Sequence, residues 1–280
     1  MATAASGSAG KRAHDRKTGG KSRARIPESF TFATWEPLDL SQALVVVGFP
    51  SVGLVGSIAT SHLAESLKLQ EVGAVTSPNL PPTAVVADGV ALSPIRIYLG
   101  NVVCGPEGDC QQLCVVHSDV APKAEFVTPL ATALVAWAKE RGVRGIVCLE
   151  GLKSQEGGDE DVPVFGAASD PQGRRLLGKL QVPPLEDGLL TGIGGVALYA
   201  ARAQGVPALC LLAESRTDLP DARGAARLLE RLHPFVPLVP IDERPLYEQA
   251  RAFEAEFQKQ LERSKRAAND LSNRADLMYG

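Results

Sequence analysis

The run Ala43-Leu44-Val45-Val46-Val47-Gly48-Phe49 most constrains what this chain can fold into. Unbroken by any polar residue and rich in valine, it suits a strand buried on both faces of a sheet. A sheet covered on both faces needs helices on each side. The next residues meet that demand: after Pro50-Ser51-Val52-Gly53, Leu54, Ile58, Leu63 and Leu67 recur at near-helical spacing and predict a helix over 54–67. The pattern repeats downstream, with strands expected at 71–76, 95–103, 113–117, 145–149 and 208–213 and helices at 126–141, 194–204 and 221–232. This alternation predicts an α/β fold, a mainly parallel sheet flanked by helices. Pro78, Pro81 and Pro82, and Pro234, Pro237 and Pro240, mark loops or edges.

Two segments differ in composition from this core, and together they suggest three regions. Residues 1–26 carry seven basic side chains against Asp15, a net charge of +6 that leaves −9 for the rest of a chain whose total is −3. Nearly devoid of apolar residues, they are expected to be a disordered basic tail. Without interleaved aromatics this tail reads as solvated rather than as a nucleic-acid arm. Residues 27–241 form the α/β domain. Residues 242–280 are rich in charged helix formers, with Leu246, Ala250, Phe253, Phe257 and Leu261 on one stripe. That stripe needs an apolar partner, either the parent domain or a second subunit, which makes Leu246, Phe253, Phe257 and Leu261 the candidate oligomer contact. From Ser264 the stripe turns polar, so Met278-Tyr279-Gly280 is expected on a flexible tether.

No run of 18 or more uncharged apolar residues occurs, and the N-terminus lacks the apolar core of a signal peptide, so a cytoplasmic protein without membrane contact is expected. The five cysteines fit reduced thiols in a core better than a disulfide framework.

The residues that could carry chemistry do not assemble into a recognised motif. Gly48, Gly53 and Gly56 lie between a strand and a helix, where backbone amides can cradle phosphate, but Leu54 and Val55 stand where a P-loop requires Lys and Ser/Thr. A tight turn with close helix–strand packing is the preferred reading. Thr191-Gly192-Ile193-Gly194-Gly195 is similarly unspecific. Cys104, Cys110, Cys114 and His117 lack zinc-ligand spacing, and Cys114 and His117 should face opposite sides of their strand, which favours core thiols, a surface histidine and no metal. Glu150 and Glu214 end apolar strands at the side where α/β folds bind ligands. Glu156, Asp159, Glu160 and Asp161 read as a solvated acidic loop. No catalytic residue and no cofactor is assigned. The C-terminal Met278-Tyr279-Gly280 groups an apolar side chain, a rigid aromatic with a polar tip, and a carboxylate, the elements of a docking plug.

Val45 to Gly56, Leu149-Glu150-Gly151, Thr191 to Gly195 and Ala213-Glu214-Ser215 together resemble the proteasome assembly chaperone 2 family, in particular its archaeal homologues. The resemblance covers about 44–240 and continues to the C-terminus. It implies a nucleoside-phosphorylase-like fold without the catalytic equipment, a homo-oligomer with a tetramer as one possible size, and binding to the α-subunit ring of the proteasome core particle. In that family a hydrophobic-tyrosine-X ending docks between neighbouring α subunits. Carried over, Met278 is the hydrophobic member, Tyr279 the tyrosine and Gly280 the carboxylate donor. The basic tail is a departure from the family pattern. The competing expectation is a nucleoside phosphorylase-like enzyme or small-ligand binder using the glycine turn with Glu150 or Glu214.

Overall fold

A computed structural model describes residues 30–41, 43–105, 108, 110–153, 162–215, 219–236 and 241–252. The basic tail, the acidic loop residues, Phe253, Phe257 and Leu261, and Met278-Tyr279-Gly280 lie outside the described residues.

Ala43–Gly48 (β2) is buried at every position, as its valine run predicts, and it occupies the middle of an eight-stranded sheet. Its parallel neighbours are Gln112–Ser118 (β7) and Gly145–Lys153 (β8), and β8 pairs in parallel with Ala208–Ser215 (β10). The flanks are antiparallel. On one side Thr31–Thr34 (β1), Gln70–Thr76 (β3) and Ile95–Gly100 (β6) extend from β7; on the other, Val164–Ala168 (β9) closes the edge against β10. The α/β class is as the sequence predicts, with a parallel centre inside antiparallel flanks.

Each face of the sheet carries its own apolar cluster. Val55–Ser66 (α1) and Ala222–Leu232 (α5) pack on one face against Val46, Leu113, Val115, Leu149 and Leu211. Ala124–Glu140 (α2) and Gly192–Gln204 (α4) cover the other, against Val45, Val47, Cys114, Ile146 and Leu212. The alternation of strand side chains explains the division: odd and even positions of β7 feed different clusters. Helix α2 is buried from Leu130 to Ala138 except at half-buried Thr132, because α4 and Phe32 also cover it.

Several elements escape the sequence reading. β1, the short hairpin Val85–Ala87 (β4) and Val90–Leu92 (β5), β9, and Pro171–Lys179 (α3) were not expected. The strand expected over 95–103 ends at Gly100, because the chain leaves the sheet to bury Val102 and Cys104 on the α1/α5 face. The expectation of five reduced cysteines is corrected at one pair. An antiparallel bridge brings Cys104 and Cys110 to a Cα separation of 4.7 Å and they are disulfide-bonded, while Cys114, Cys148 and Cys210 are buried free thiols.

The C-terminal stripe begins on the parent domain. Residues 244–252 are helical, and Ile241, Leu246 and Ala250 join the α1/α5 cluster. Polar contacts fix this segment: Tyr247 donates to Glu230 at 2.6 Å, His233 pairs with Glu243, and His62 Nε2 lies 2.7 Å from the Asp242 carbonyl. The candidate contact residue Leu246 is therefore intramolecular. Leu246→Ala should lower the free energy of unfolding by about 2–4 kcal/mol in urea titration, the usual cost of emptying a buried leucine site. A loss below about 0.5 kcal/mol would place the helix off the body.

Candidate functional site

The four segments that carry the sequence motifs meet at the carboxyl ends of β2, β8 and β10. The glycine turn is held there by its neighbours. Gly53 has φ +63° and is followed by Leu54 at φ +54°, so the chain reverses through two left-handed residues before α1 begins. A methyl group on Gly53 would overlap the Ser215 hydroxyl, and one on Gly56 would overlap the Leu149 carbonyl. Gly48 and Gly151 are equally tight, against the Gly56 carbonyl and the Val52 carbonyl. Absent side chains here let backbone touch backbone.

Hydrogen bonds complete this packing. The Gly53 carbonyl accepts from the Asp221 amide at 2.8 Å, and the Gly151 amide donates to Ser51 Oγ at 3.2 Å. Asp221 caps α5 by accepting from the Gly224 amide at 2.8 Å, and its second oxygen accepts from the Ser215 hydroxyl at 2.8 Å. Ser215 and Asp221 thus pack directly beside Gly53.

Glu150 stands at the centre of this edge. It is 5% exposed, and its Oε1 accepts from the Gly194 amide at 2.9 Å in the first turn of α4. The second glycine cluster allows this approach: a methyl group on Gly194 would crowd both Cys210 Sγ and Glu150 Cγ. A carboxylate at a helix N-terminus gains from the exposed amides and the helix dipole. Burial nevertheless dominates, pushing the Glu150 carboxyl up to about 7 against the opposing hydrogen bonds from Gly194 and Ser51. Glu214 lies two residues beyond Leu212, the partner of Glu150 in register, and is only half-buried. The structure therefore gives Glu150 and Glu214 different burial and brings Glu150 against the second glycine motif.

A second polar cluster beside this edge was missed in the sequence. His117 is 2% exposed, which corrects the expectation of a surface histidine. Its Nδ1 lies 3.0 Å from the Thr60 hydroxyl and its Nε2 3.2 Å from Asp119, which also pairs with buried Arg96 at 2.9 Å. Burial would raise the Asp119 carboxyl, but the His117 hydrogen bond and the charges of His117 and Arg96 outweigh it and hold it below the usual carboxylate range. The order Asp119, His117, Thr60 is reminiscent of a proton relay, yet Thr60 is fully buried and 2.9 Å from the Gly56 carbonyl. Its hydroxyl is a tie between α1 and β7 rather than an exposed nucleophile. Residues 57 apart in sequence give no local signal of such a pair. Cys114 points away from His117 into the α2/α4 cluster, and among the described residues no group of three or more His, Cys, Asp or Glu side chains is arranged to hold a metal. A depression of about 290 Å³ lies along β9, lined by Asp170, Arg174, Leu185 and Arg202 among others; none of Gly48, Gly53, Gly56, Glu150 or Glu214 lines it. Among the described residues no helix is long and apolar enough to cross a membrane.

Comparison with known proteins places this arrangement. The sequence model of the PAC2 family matches residues 45–261. PbaA of Pyrococcus furiosus, an archaeal homolog of proteasome-assembly chaperone, is similar in structure with a TM-score of 0.74 and 25% identity, covering 90% of this chain and 100% of that one. PbaB of the same organism, an archaeal proteasome activator, shares the fold with a TM-score of 0.71 and 22% identity, covering 83% and 99%. An uncharacterised protein of Methanocaldococcus jannaschii is 27% identical over 206 residues, 74% of this chain and 80% of that protein.

The buried carboxyl generates a pH prediction. A folded value near 7 against 4.5 for the unfolded chain means that the native state binds the proton more tightly, so this group's contribution to stability falls as pH rises from 4.5 to about 7. The shift corresponds to a loss of about 3 kcal/mol at most. Glu150→Gln keeps an acceptor for Gly194 and removes the titration. Urea unfolding at pH 5 and pH 7.5 should show a smaller stability difference in Glu150→Gln than in the parent. Equal differences would contradict the role assigned to burial.

Proposed function

The chain belongs to the PAC2 family, and from that premise we propose that it is an ATP-independent factor that binds the proteasome core particle, assisting its assembly, opening its gate, or both. The observation that carries this reading is the family match over 45–261, and the 25% identity to PbaA, an archaeal homolog of proteasome-assembly chaperone, supports it. A non-enzymatic role is supported by the packing at the carboxyl edge of the sheet, where Ser51, Glu150, Ser215 and Asp221 bond to the protein itself. Leu54 and Val55 also offer no charge to a nucleotide phosphate.

The docking element in this proposal is Met278-Tyr279-Gly280. Tyr279 fills a pocket between adjacent α subunits of the core particle, Met278 adds apolar area, and the Gly280 carboxylate meets a pocket lysine. One such plug buries little surface, and association must overcome several kcal/mol of lost freedom. A homo-oligomer presenting several plugs raises the effective concentration of each. Gate opening further requires that the plug bind the open ring more tightly than the closed one, since equal affinity shifts nothing. The fixed start of the C-terminal segment at Leu246 and Ala250 supports a division of labour between a packed body and a separate docking element.

The test is binding of purified core particle to Tyr279→Ala and to a variant with residues appended after Gly280. Loss of a buried tyrosine anchor costs about 2 kcal/mol or more, so each site should weaken about thirtyfold, and avidity should amplify the loss. Both variants should melt at the parental temperature. Parental binding and parental stimulation of peptide hydrolysis by both would eliminate the docking plug.

A further inference from the structure

The hairpin of β4 and β5 is more strongly specified than its surroundings explain. Asp88 and Gly89 form its two-residue turn with φ +50° and +78°, the left-handed pair that a type I′ turn requires and that Asp-Gly supplies. Val85 pairs with Leu92, Val86 with Ala91 and Ala87 with Val90, so both faces are apolar. Yet all six residues 86–91 are exposed, with Val86 at 69% and Val90 at 59%. The two strands form a sheet of their own, and no third strand among the described residues joins it. A lone two-stranded ribbon is marginally stable in water, and apolar edges without charged guards invite pairing with another chain.

Charge distinguishes the occupants. From Val72 to Ile95 the only charged residue is Asp88, where the chain's 22% charged content would put about five in 24 residues. Outside the basic tail the chain carries −9, so two copies repel wherever their general surfaces meet. An uncharged apolar arm offers a place where like can approach like at close range. In a two-fold contact the same patch serves both subunits. Antiparallel apposition of two hairpins sets the tip of each beside the base of the other and keeps the two Asp88 carboxylates apart.

We infer that the β4–β5 hairpin is a self-association arm, packing its Val86/Ala91 and Val85/Val90 faces against the hairpin of a second copy of this chain. The inference deepens the homo-oligomer reading proposed above and rests on it. It adds a second contact to the candidate C-terminal stripe, of which Leu246 is buried within the subunit and Phe253, Phe257 and Leu261 lie outside the described residues.

The test uses the full chain. The double variant Val86→Asp/Val90→Asp should lower the particle mass by light scattering, toward the monomer, with far-UV circular dichroism at 25 °C unchanged, because both side chains are exposed within the subunit. Val86→Cys or Ala91→Cys, each made alone, should form a covalent dimer on mild oxidation, against a background of described free thiols that are all buried. A monomeric parent, an unchanged mass in the double variant, or no covalent dimer from either cysteine would overturn the inference. An unchanged mass with lost core-particle binding would make the core particle the occupant, which also overturns it. Failure of the docking reading is seen separately, as an oligomer that dissociates on Val86→Asp/Val90→Asp although the parent never binds the core particle.

Discussion

The hydrogen bond from the Gly194 amide to buried Glu150 is the contact around which the carboxyl edge of the sheet is organised. An ionisable group that is 5% exposed is tolerated only when its oxygens are satisfied, and here they are met by a helix N-terminus on one side and by Ser51 on the other. That single requirement ties the β2 turn, the end of β8 and the start of α4 into one unit. Ser215 and Asp221 extend the unit to β10 and α5. The glycines at 48, 53, 56, 151 and 194 belong to the same constraint, since a side chain at any of them would meet backbone or a neighbouring side chain.

This organisation fills the carboxyl edge of the sheet, among the described residues, with the protein's own polar groups. Open α/β sheets bind ligands in the crevice beyond the carboxyl ends of their strands. In this chain described groups at that edge bond to one another: Glu150 accepts from the first turn of α4, and Ser215 donates to Asp221 beside the glycine turn. The two elements proposed to meet other macromolecules are the exposed hairpin and Met278-Tyr279-Gly280.

The long elements were legible because their burial is simple. The valine run of β2, the apolar spacing of α1 and α2, and the ends of α4 and α5 follow from periods that depend on one or two buried faces. The short strands were not. Thr31–Thr34 is an edge strand of four residues with one buried side chain, and β4 and β5 are three residues each with none buried, so none generates a hydrophobic period. Helix α3 buries only Leu177, yet Asp170-Pro171 is a cap followed by proline at the first helical position, a signal that could have found it. The glycine motifs showed where backbone comes close, and Glu150 showed as a strand-end carboxylate. Their union did not show, because Gly194 is 44 residues from Glu150 and only the sheet order brings them together.

In the proposal above, a packed body reaches the core particle through its C-terminal residues. The most direct measurement is competition: a synthetic peptide spanning residues 274–280 with a free carboxylate, titrated against the full chain bound to purified core particle and followed by fluorescence anisotropy of the labelled chain. Displacement of the chain by this peptide, and none by the same peptide amidated at its C-terminus, is the predicted result. Undiminished binding of the chain at saturating free-acid peptide would contradict it.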